Sequence, residues 1–376
     1  MKVLFLSVST GGGHIKAAKA VKDVIVSKHP NSECVIIDTL KYINPIIDKL
    51  IVGTYLSLVK NVPCFYGNLY KLSEYSKGIN SLTNAFSKLL AKYIINLIKD
   101  FSPSLIVCTH TIPLQMVSYL KGKGSISTPI AAIVTDYVNH PFWNLPNIDA
   151  LIVPGDNIKA DMLKTGIPDN IIYPLGIPLL KDFIYKSNKI KIREALKLEN
   201  KLTALIMGGS LGIRSVYNSF RLLMNSKRDI QILILTGENI KLKKKIEQEL
   251  LNYPVYQQKN VKVFGYTNNV SILMDAADLI ITKAGGLTIS EALVKELPIF
   301  LISPIPGQEE RNASFLVNSG AAVAISLEDS IDEIISEIIF NSENLSSMKH
   351  KARLLARPNA TYDTVRLLEK IASALS

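Results

Sequence analysis

Ten short apolar runs recur along the chain, separated by stretches with helical spacing, and this alternation restricts the fold more than any other feature. The runs are Val3–Ser7, Cys34–Ile37, Leu105–Thr109, Ile130–Val134 and Ala150–Val153, then Leu202–Met207, Ile230–Leu235, Val261–Phe264, Leu279–Ile281 and Ile299–Ile302. A strand covered by helices on both faces is apolar throughout, whereas a strand wetted on one face alternates. Continuous runs separated by helices therefore read as βα units in parallel sheets. The two sets of five flank Tyr173-Pro174-Leu175-Gly176-Ile177-Pro178, a hinge built of prolines and a glycine. At 376 residues the chain also exceeds the ~250–300 at which one core stops growing. The expectation is an α/β protein of two doubly wound, Rossmann-like domains facing each other across a cleft.

In such folds ligands sit beyond the carboxyl ends of the strands, at the loops leading into helices. The first of these loops, Ser9-Thr10-Gly11-Gly12-Gly13-His14, joins a glycine turn to a histidine at the start of a helical stretch. Glycines permit a sharp turn and close approach, free N–H groups at a helix start favour an anion by about 0.3–1 kcal/mol, and an imidazole titrates near neutrality. The dinucleotide fingerprint is absent, because counting from Gly11 its sixth position holds Lys16 rather than glycine. A second glycine turn, Thr282-Lys283-Ala284-Gly285-Gly286-Leu287-Thr288, opens another helix and offers donors to a diphosphate. One turn further on, the Glu291 carboxylate either accepts from a pair of ribose hydroxyls or stabilises its own helix start. The loop Pro304-Ile305-Pro306-Gly307-Gln308-Glu309-Glu310-Arg311-Asn312-Ala313 is dense in groups that read a sugar. Thr109-His110-Thr111, Thr135-Asp136-Tyr137, Gly208-Gly209-Ser210 and Gly265-Tyr266-Thr267 also follow strands.

The formal charge of +11 is unevenly placed. Between Lys41 and Lys99, eight lysines are set against Asp48 and Glu74 and interleaved with Tyr42, Tyr55, Phe65, Tyr66, Tyr70, Tyr75 and Tyr93. This segment breaks the alternation. It suits either an amphipathic element on an anionic membrane surface or a pair of ordinary helices with solvated lysines. Arginine is scarce there and no recognition motif is present, which argues against nucleic acid. No run reaches the ~18–20 uninterrupted apolar residues of a membrane span, and the N-terminal run is too short for a signal peptide core. Cys34, Cys64 and Cys108 show no paired spacing, as suits a reducing cytoplasm. His29 and His350 read as surface residues, and Trp143, after His140, as a core residue.

Taken in order, these loops resemble those of the lipid-glycosylating GT-B glycosyltransferases, the family of processive diacylglycerol β-glucosyltransferases and monogalactosyldiacylglycerol synthases. The N-acetylglucosaminyltransferase of the lipid-linked peptidoglycan precursor is a more distant cousin. The resemblance spans nearly the whole chain, and the basic insertion and Pro306-Gly307-Gln308-Glu309 are habits of the diacylglycerol enzymes. It implies an N-terminal acceptor- and membrane-binding domain over 1–175, with the insertion at about 41–99, and a nucleotide-sugar domain over 176–355. A C-terminal helix over 356–376 then packs back on the first domain. His14 and Asp136 become the catalytic pair, Asp136 either orienting His14, positioning the acceptor or merely capping a helix. Gly12, Gly13, His110 and Tyr137 would face the acceptor. Gly208, Gly209, Ser210, Gly285, Gly286, Leu287 and Thr288 would hold the diphosphate, Tyr266 and Thr267 the uracil, Glu291 the ribose, and Gln308 and Glu309 the hexose. Where related enzymes often carry arginine after the histidine, this chain has Ile15.

The implied reaction is inverting transfer of a hexose, glucose rather than galactose, from a UDP-sugar to a diacylglycerol hydroxyl. It would take place peripherally on the anionic, cytoplasmic face of the cell membrane, with no metal ion, no cofactor and no protein partner. Three alternatives share parts of this pattern: transfer of N-acetylglucosamine to a polyprenyl-linked precursor, nucleotide-sugar epimerisation, and non-catalytic UDP-sugar sensing.

Overall fold

The computed structural model describes all residues except 11, 47, 51–52, 55–76, 210–213, 254–258, 303–306, 327 and 374–376. The chain forms two compact units: Met1–Lys181 with Pro306–Gln308 and Arg357–Ser376, and Asp182–Ile305 with Glu309–Ala356. Each is built on one parallel sheet, in keeping with the GT-B expectation. In the first unit the strands are β1 (Lys2–Ser7), β2 (Glu33–Asp38), β3 (Leu105–Cys108), β4 (Ile130–Ile133), β5 (Ala150–Ile152) and β6 (Ile172–Tyr173), in the order β2-β1-β3-β4-β5-β6. In the second they are β7 (Leu202–Met207), β8 (Ile230–Leu235), β9 (Val261–Phe264), β10 (Leu279–Thr282), β11 (Ile299–Ile302) and β12 (Ala322–Ile325), in the order β12-β11-β10-β7-β8-β9.

The apolar runs are explained by which face each residue covers. Leu4, Leu6, Ile106, Cys108, Ile130 and Ala132 pack with Leu90, Ala91, Ile94 and Ile98 of the helix Lys77–Phe101. Their neighbours Val3, Phe5, Leu105, Val107, Ala131 and Ile133 face the other way, onto Ala18, Val21 and Ile25 of the helix Gly13–Lys28. Val365 and Leu368 of the C-terminal helix Ala360–Ser373 complete that second layer. Two fully buried side chains of this kind contribute roughly 1.5–3 kcal/mol each, and Glu369 adds an ion pair to Lys28 (2.7 Å) and a hydrogen bond with His29 (2.8 Å).

Two strands escaped the sequence pattern. β6 is only Ile172-Tyr173, cut short by Pro174. β12, Ala-Val-Ala-Ile, lies at a sheet edge with Ala324 exposed, so it lacks the continuous β-branched run of an inner strand. Trp143 is buried at 4% exposure, as a core residue. Cys34 and Cys108 are buried free thiols; Cys64 lies outside the described residues.

Beside Trp143, the His140 Nδ1 accepts from the Phe142 N–H (3.2 Å) and caps the turn Pro141–Trp143. Its burial pushes the imidazole pKa down to about 4. The unfolded chain protonates this group near 6.5, so between pH 6.5 and 4 it binds a proton that the native state refuses, and stability falls as pH falls. His140→Asn keeps a capping oxygen and removes the titration. Denaturant unfolding from pH 7 to 4.5 should lose less stability in the variant, by up to about 1.4 kcal/mol per pH unit below 6.5. An equal loss in both proteins would exclude this account.

Candidate active site

In the first sheet, β1 is flanked by β2 on one side and β3 on the other, so the chain's winding reverses between β1 and β3. That is the switch point where open α/β sheets bind ligands. Parallel register brings the strand ends level, Leu6 opposite Cys108 and Cys108 opposite Ala132. The loops carrying His14, Thr109-His110 and Thr135-Asp136 therefore emerge side by side. Gly12 makes the turn into the first helix with φ +80°, left-handed backbone that favours glycine, and supplies no side-chain cap. Gly13 is the first helical residue and His14 follows it.

His14 is fixed from beneath. Its Nδ1–H donates to the carbonyl oxygen of Thr109 at 2.7 Å, with Thr135 Oγ1 at 2.9 Å from the same nitrogen. A carbonyl only accepts, so Nδ1 carries the proton and Nε2 of the neutral ring keeps its lone pair. Thr109 is held in turn by its own hydroxyl, which donates to Ser7 Oγ at 2.9 Å, and both residues are fully buried. Burial pushes the His14 pKa below the ordinary 6.5, while the Asp136 charge and the Thr109 carbonyl pull it upward. The ring is thus neutral at pH 7, with an available base at Nε2.

His110 holds the opposite tautomer. Its Nδ1 accepts from the Ile112 N–H (3.1 Å) as the cap of the helix Thr111–Gly122, which leaves the proton on Nε2. The two imidazoles stand edge to face, 4.9 Å between centroids and 78° between planes. Burial, and then His14, hold the His110 pKa well below 6.5. A lone pair on one ring and an N–H on the other suit a hydroxyl that must donate and accept at once. No helix begins at Asp136, so the capping alternative falls, leaving an action on His14, whose pKa its charge raises, or on the acceptor. Tyr137 is 5% exposed.

The second unit repeats the arrangement at its own reversal, between β7 and β10, where Met207 lies opposite Thr282. Gly208-Gly209 and Lys283-Ala284-Gly285 thus leave adjacent strands at one level. Gly209 has φ +74°, and Gly285 starts the helix Gly286–Val294 without a side-chain cap. Leu287 and Thr288 lie in that helix's first turn, and Glu291 is buried further along it at 4% exposure. Tyr266 follows β9 and is 57% exposed, whereas Thr267 turns its hydroxyl oxygen to the Asn269 N–H (3.1 Å). This pair sits two strands from β7, roughly 10 Å away. Gln308 and Glu309 open the helix Gln308–Asn318, and Glu309 is paired with Lys283. Ser210 and residues 303–306 lie outside the described residues.

Three of these groups, Thr109, Thr135 and Lys283, carry no role that their sequence context gives, and Asn312 belongs to a helix rather than to a sugar-reading loop. Thr109 acts through its backbone, which no side-chain pattern discloses, and Thr135 was passed over beside the more conspicuous Asp136. Lys283 was passed over beside two glycines. Asn312, fully buried, donates to the Ala284 carbonyl at 3.0 Å and ties the helix Gln308–Asn318 to the glycine loop.

The two doubly wound sheets, each with glycine loops gathered at its reversal, define the GT-B architecture. Known proteins narrow this. Residues 14–179 match the model of the monogalactosyldiacylglycerol (MGDG) synthase family, and 203–363 that of the glycosyltransferase family 28 C-terminal domain. A processive diacylglycerol beta-glucosyltransferase of Bacillus cereus is 30% identical over 372 residues, covering 95% of this chain and 90% of its own. Among solved structures, MurG of Acinetobacter baumannii has a TM-score of 0.60 at 17% identity, covering 98% of this chain and 99% of its own. The UDP-GlcNAc 2-epimerase of Neisseria meningitidis also gives 0.60, at 16% identity, covering 98% and 100%, so fold alone does not separate transfer from epimerisation. The chain belongs to the diacylglycerol glycosyltransferase family.

Asp136 has a measurable effect if its charge acts on His14. A negative neighbour favours imidazolium, so Asp136→Asn should lower the His14 pKa further. Ring-proton titration by NMR should place the wild-type midpoint below 6.5 and the variant's below that. An unchanged or raised midpoint would show that the charge does not act there.

Proposed function

We propose that this protein transfers a hexose, glucose by preference, from its UDP-sugar to the primary hydroxyl of diacylglycerol with inversion, forming a β-glycosyldiacylglycerol. The acceptor O–H donates to Nε2 of His14 and its oxygen accepts from the Nε2–H of His110. As the oxygen attacks the anomeric carbon from the face opposite UDP, His14 takes the proton and the bond to the diphosphate breaks. Asp136 stabilises the imidazolium that forms. N–H groups of Gly208-Gly209 and of the helix start at Gly285-Gly286 receive the charge gathering on the leaving diphosphate, the task a metal ion performs elsewhere. Glu291 holds the ribose, Tyr266 and Thr267 the uracil, and Gln308 and Glu309 the hexose. Repeated transfer onto the first sugar would use the same base.

The observation that carries this reading is the hydrogen bond from His14 Nδ1–H to Thr109, which leaves a neutral, oriented base at Nε2. The full-length relatives named as glucosyltransferases support glucose. The synthase model over 14–179 makes galactose the second reading. Purified protein, diacylglycerol vesicles and a panel of UDP-sugars, with products read by mass, separates them. His14→Ala should retain UDP-sugar binding and lose turnover by about 10²–10⁴-fold. Wild-type turnover in that variant would refute the base role.

The setting proposed is the cytoplasmic face of an anionic membrane. Among the described residues no helix is long and apolar enough to cross a membrane. On the helix Lys77–Phe101, Leu89 and Tyr93 are 58% and 49% exposed, each following an exposed lysine, Lys88 and Lys92. Ile46 and Leu50 stand out at 75% and 68%. Apolar groups framed by lysines suit an interface of acyl chains and acidic headgroups. Tyr55, Phe65, Tyr66, Tyr70 and Tyr75 of the insertion lie outside the described residues. Leu89→Ser with Tyr93→Ser should reduce partition onto vesicles containing phosphatidylglycerol, and Lys88→Gln with Lys92→Gln should weaken its salt dependence. Unaltered partition in both variants would remove this surface from the membrane reading.

A further inference from the structure

Lys283 is the residue on the donor side that neither the glycine pattern nor the comparisons single out. Its side chain lies across both glycine turns: a Cβ built on Gly209 would stand 3.2 Å from Lys283 Cε, and one on Gly285 would stand 3.9 Å from its Nζ. The ammonium is thus placed where the two loops of adjacent strands converge, and any larger residue at Gly209 would displace it. Its partner is the Glu309 carboxylate, and the pair is mostly shielded, with side chains 19% and 14% exposed. Asn312, one turn beyond Glu309, anchors the same helix to the carbonyl of Ala284, next to Lys283. The N-terminal half of the helix Gln308–Asn318 is therefore tied to the glycine loop at two points, one neutral, the other ionic.

We propose that Lys283 and Glu309 form an exchangeable pair through which the donor's diphosphate releases the carboxylate that reads its hexose. The inference rests on the donor-site reading given above. Without donor, Glu309 neutralises the lysine. A diphosphate entering the glycine turns brings more negative charge than one carboxylate and takes the ammonium as a charge-assisted donor. A carboxylate left beside it is then repelled and turns to the hexose hydroxyls, where it accepts hydrogen bonds. The neutral Asn312 tie persists throughout, so the helix keeps its place while one side chain changes partner. UDP alone meets the competition of Glu309 without the compensation, whereas an intact UDP-hexose gains both contacts. The device thus favours substrate over product at the donor site.

Opposite signs in two variants distinguish this exchange from a structural ion pair. In calorimetric titrations, Glu309→Gln, which keeps size and hydrogen-bonding capacity, should bind UDP about three- to tenfold tighter than wild type. The preference for UDP-glucose over UDP should shrink. Lys283→Ala should bind UDP at least as much weaker, and Lys283→Ala with Glu309→Gln should recover part of that loss, because the uncompensated carboxylate is gone. UDP affinity in Glu309→Gln equal to or below wild type would overturn the exchange while leaving the donor site standing. Wild-type protein that binds neither UDP nor UDP-glucose would overturn the donor-site reading and the exchange together.

Discussion

The hydrogen bond from His14 Nδ1–H to the Thr109 carbonyl fixes what the rest of the first unit is arranged to deliver. It joins the first turn of the helix after β1 to the end of β3, two elements that are neighbours because the strand order reverses there. The bond settles the tautomer, and burial settles the charge; together they make a base of a group that would otherwise be half protonated near its ordinary pKa. Removing either element leaves an imidazole with the right chemistry and no defined direction. The Ser7–Thr109 hydrogen bond beneath it keeps the carbonyl aimed, so the base is held by the core of the sheet rather than by a loop.

Much of the fold was legible because both faces of each sheet are covered. Apolar runs such as Leu202–Met207 and Ile230–Leu235 have no solvated positions to interrupt them, and every one of the ten runs became a strand. The two that escaped, β6 and β12, sit at sheet edges as the legible β2 and β9 do, but β6 is two residues long and β12 carries two alanines, so neither makes a β-branched run. The loops at the reversals were legible for a different reason. Glycine has few uses after a strand besides a tight turn or close approach, and Gly12 and Gly209 do adopt the left-handed backbone that only glycine takes readily.

What stayed hidden was the support around those loops. A backbone acceptor such as Thr109 leaves no trace in residue type, and a tautomer follows from a contact between residues 95 positions apart. The His110 cap could have been guessed from a polar residue before Thr111-Ile112-Pro113, yet its consequence for the ring proton needs the Ile112 N–H in place. Lys283 and Asn312 carry ordinary side chains whose meaning comes from Gly209, Ala284 and Glu309 lying next to them in space. Chemistry that depends on pairs separated in sequence is invisible to any pattern read along it.

The two glycine turns set one local motif in two different surroundings. Asn188, Asn239, Asn341, His110 and His140 each accept an N–H at the start of a helix or turn, whereas the helices that begin at Gly12 and Gly285 receive no such side chain, as is also true of those after Asp38, Gly155, Asn269 and Ser330. A helix start without a cap keeps its N–H groups for water or for a ligand. At Gly285 that supply is placed beside a second glycine turn and a lysine, a setting for a dianionic leaving group. At Gly12 the neighbours are two neutral imidazoles and an aspartate, a setting that disfavours a diphosphate and suits a hydroxyl. On the proposed reading, the same strand–glycine–helix device is sorted into donor and acceptor roles by the charge of the residues around it and not by its own sequence.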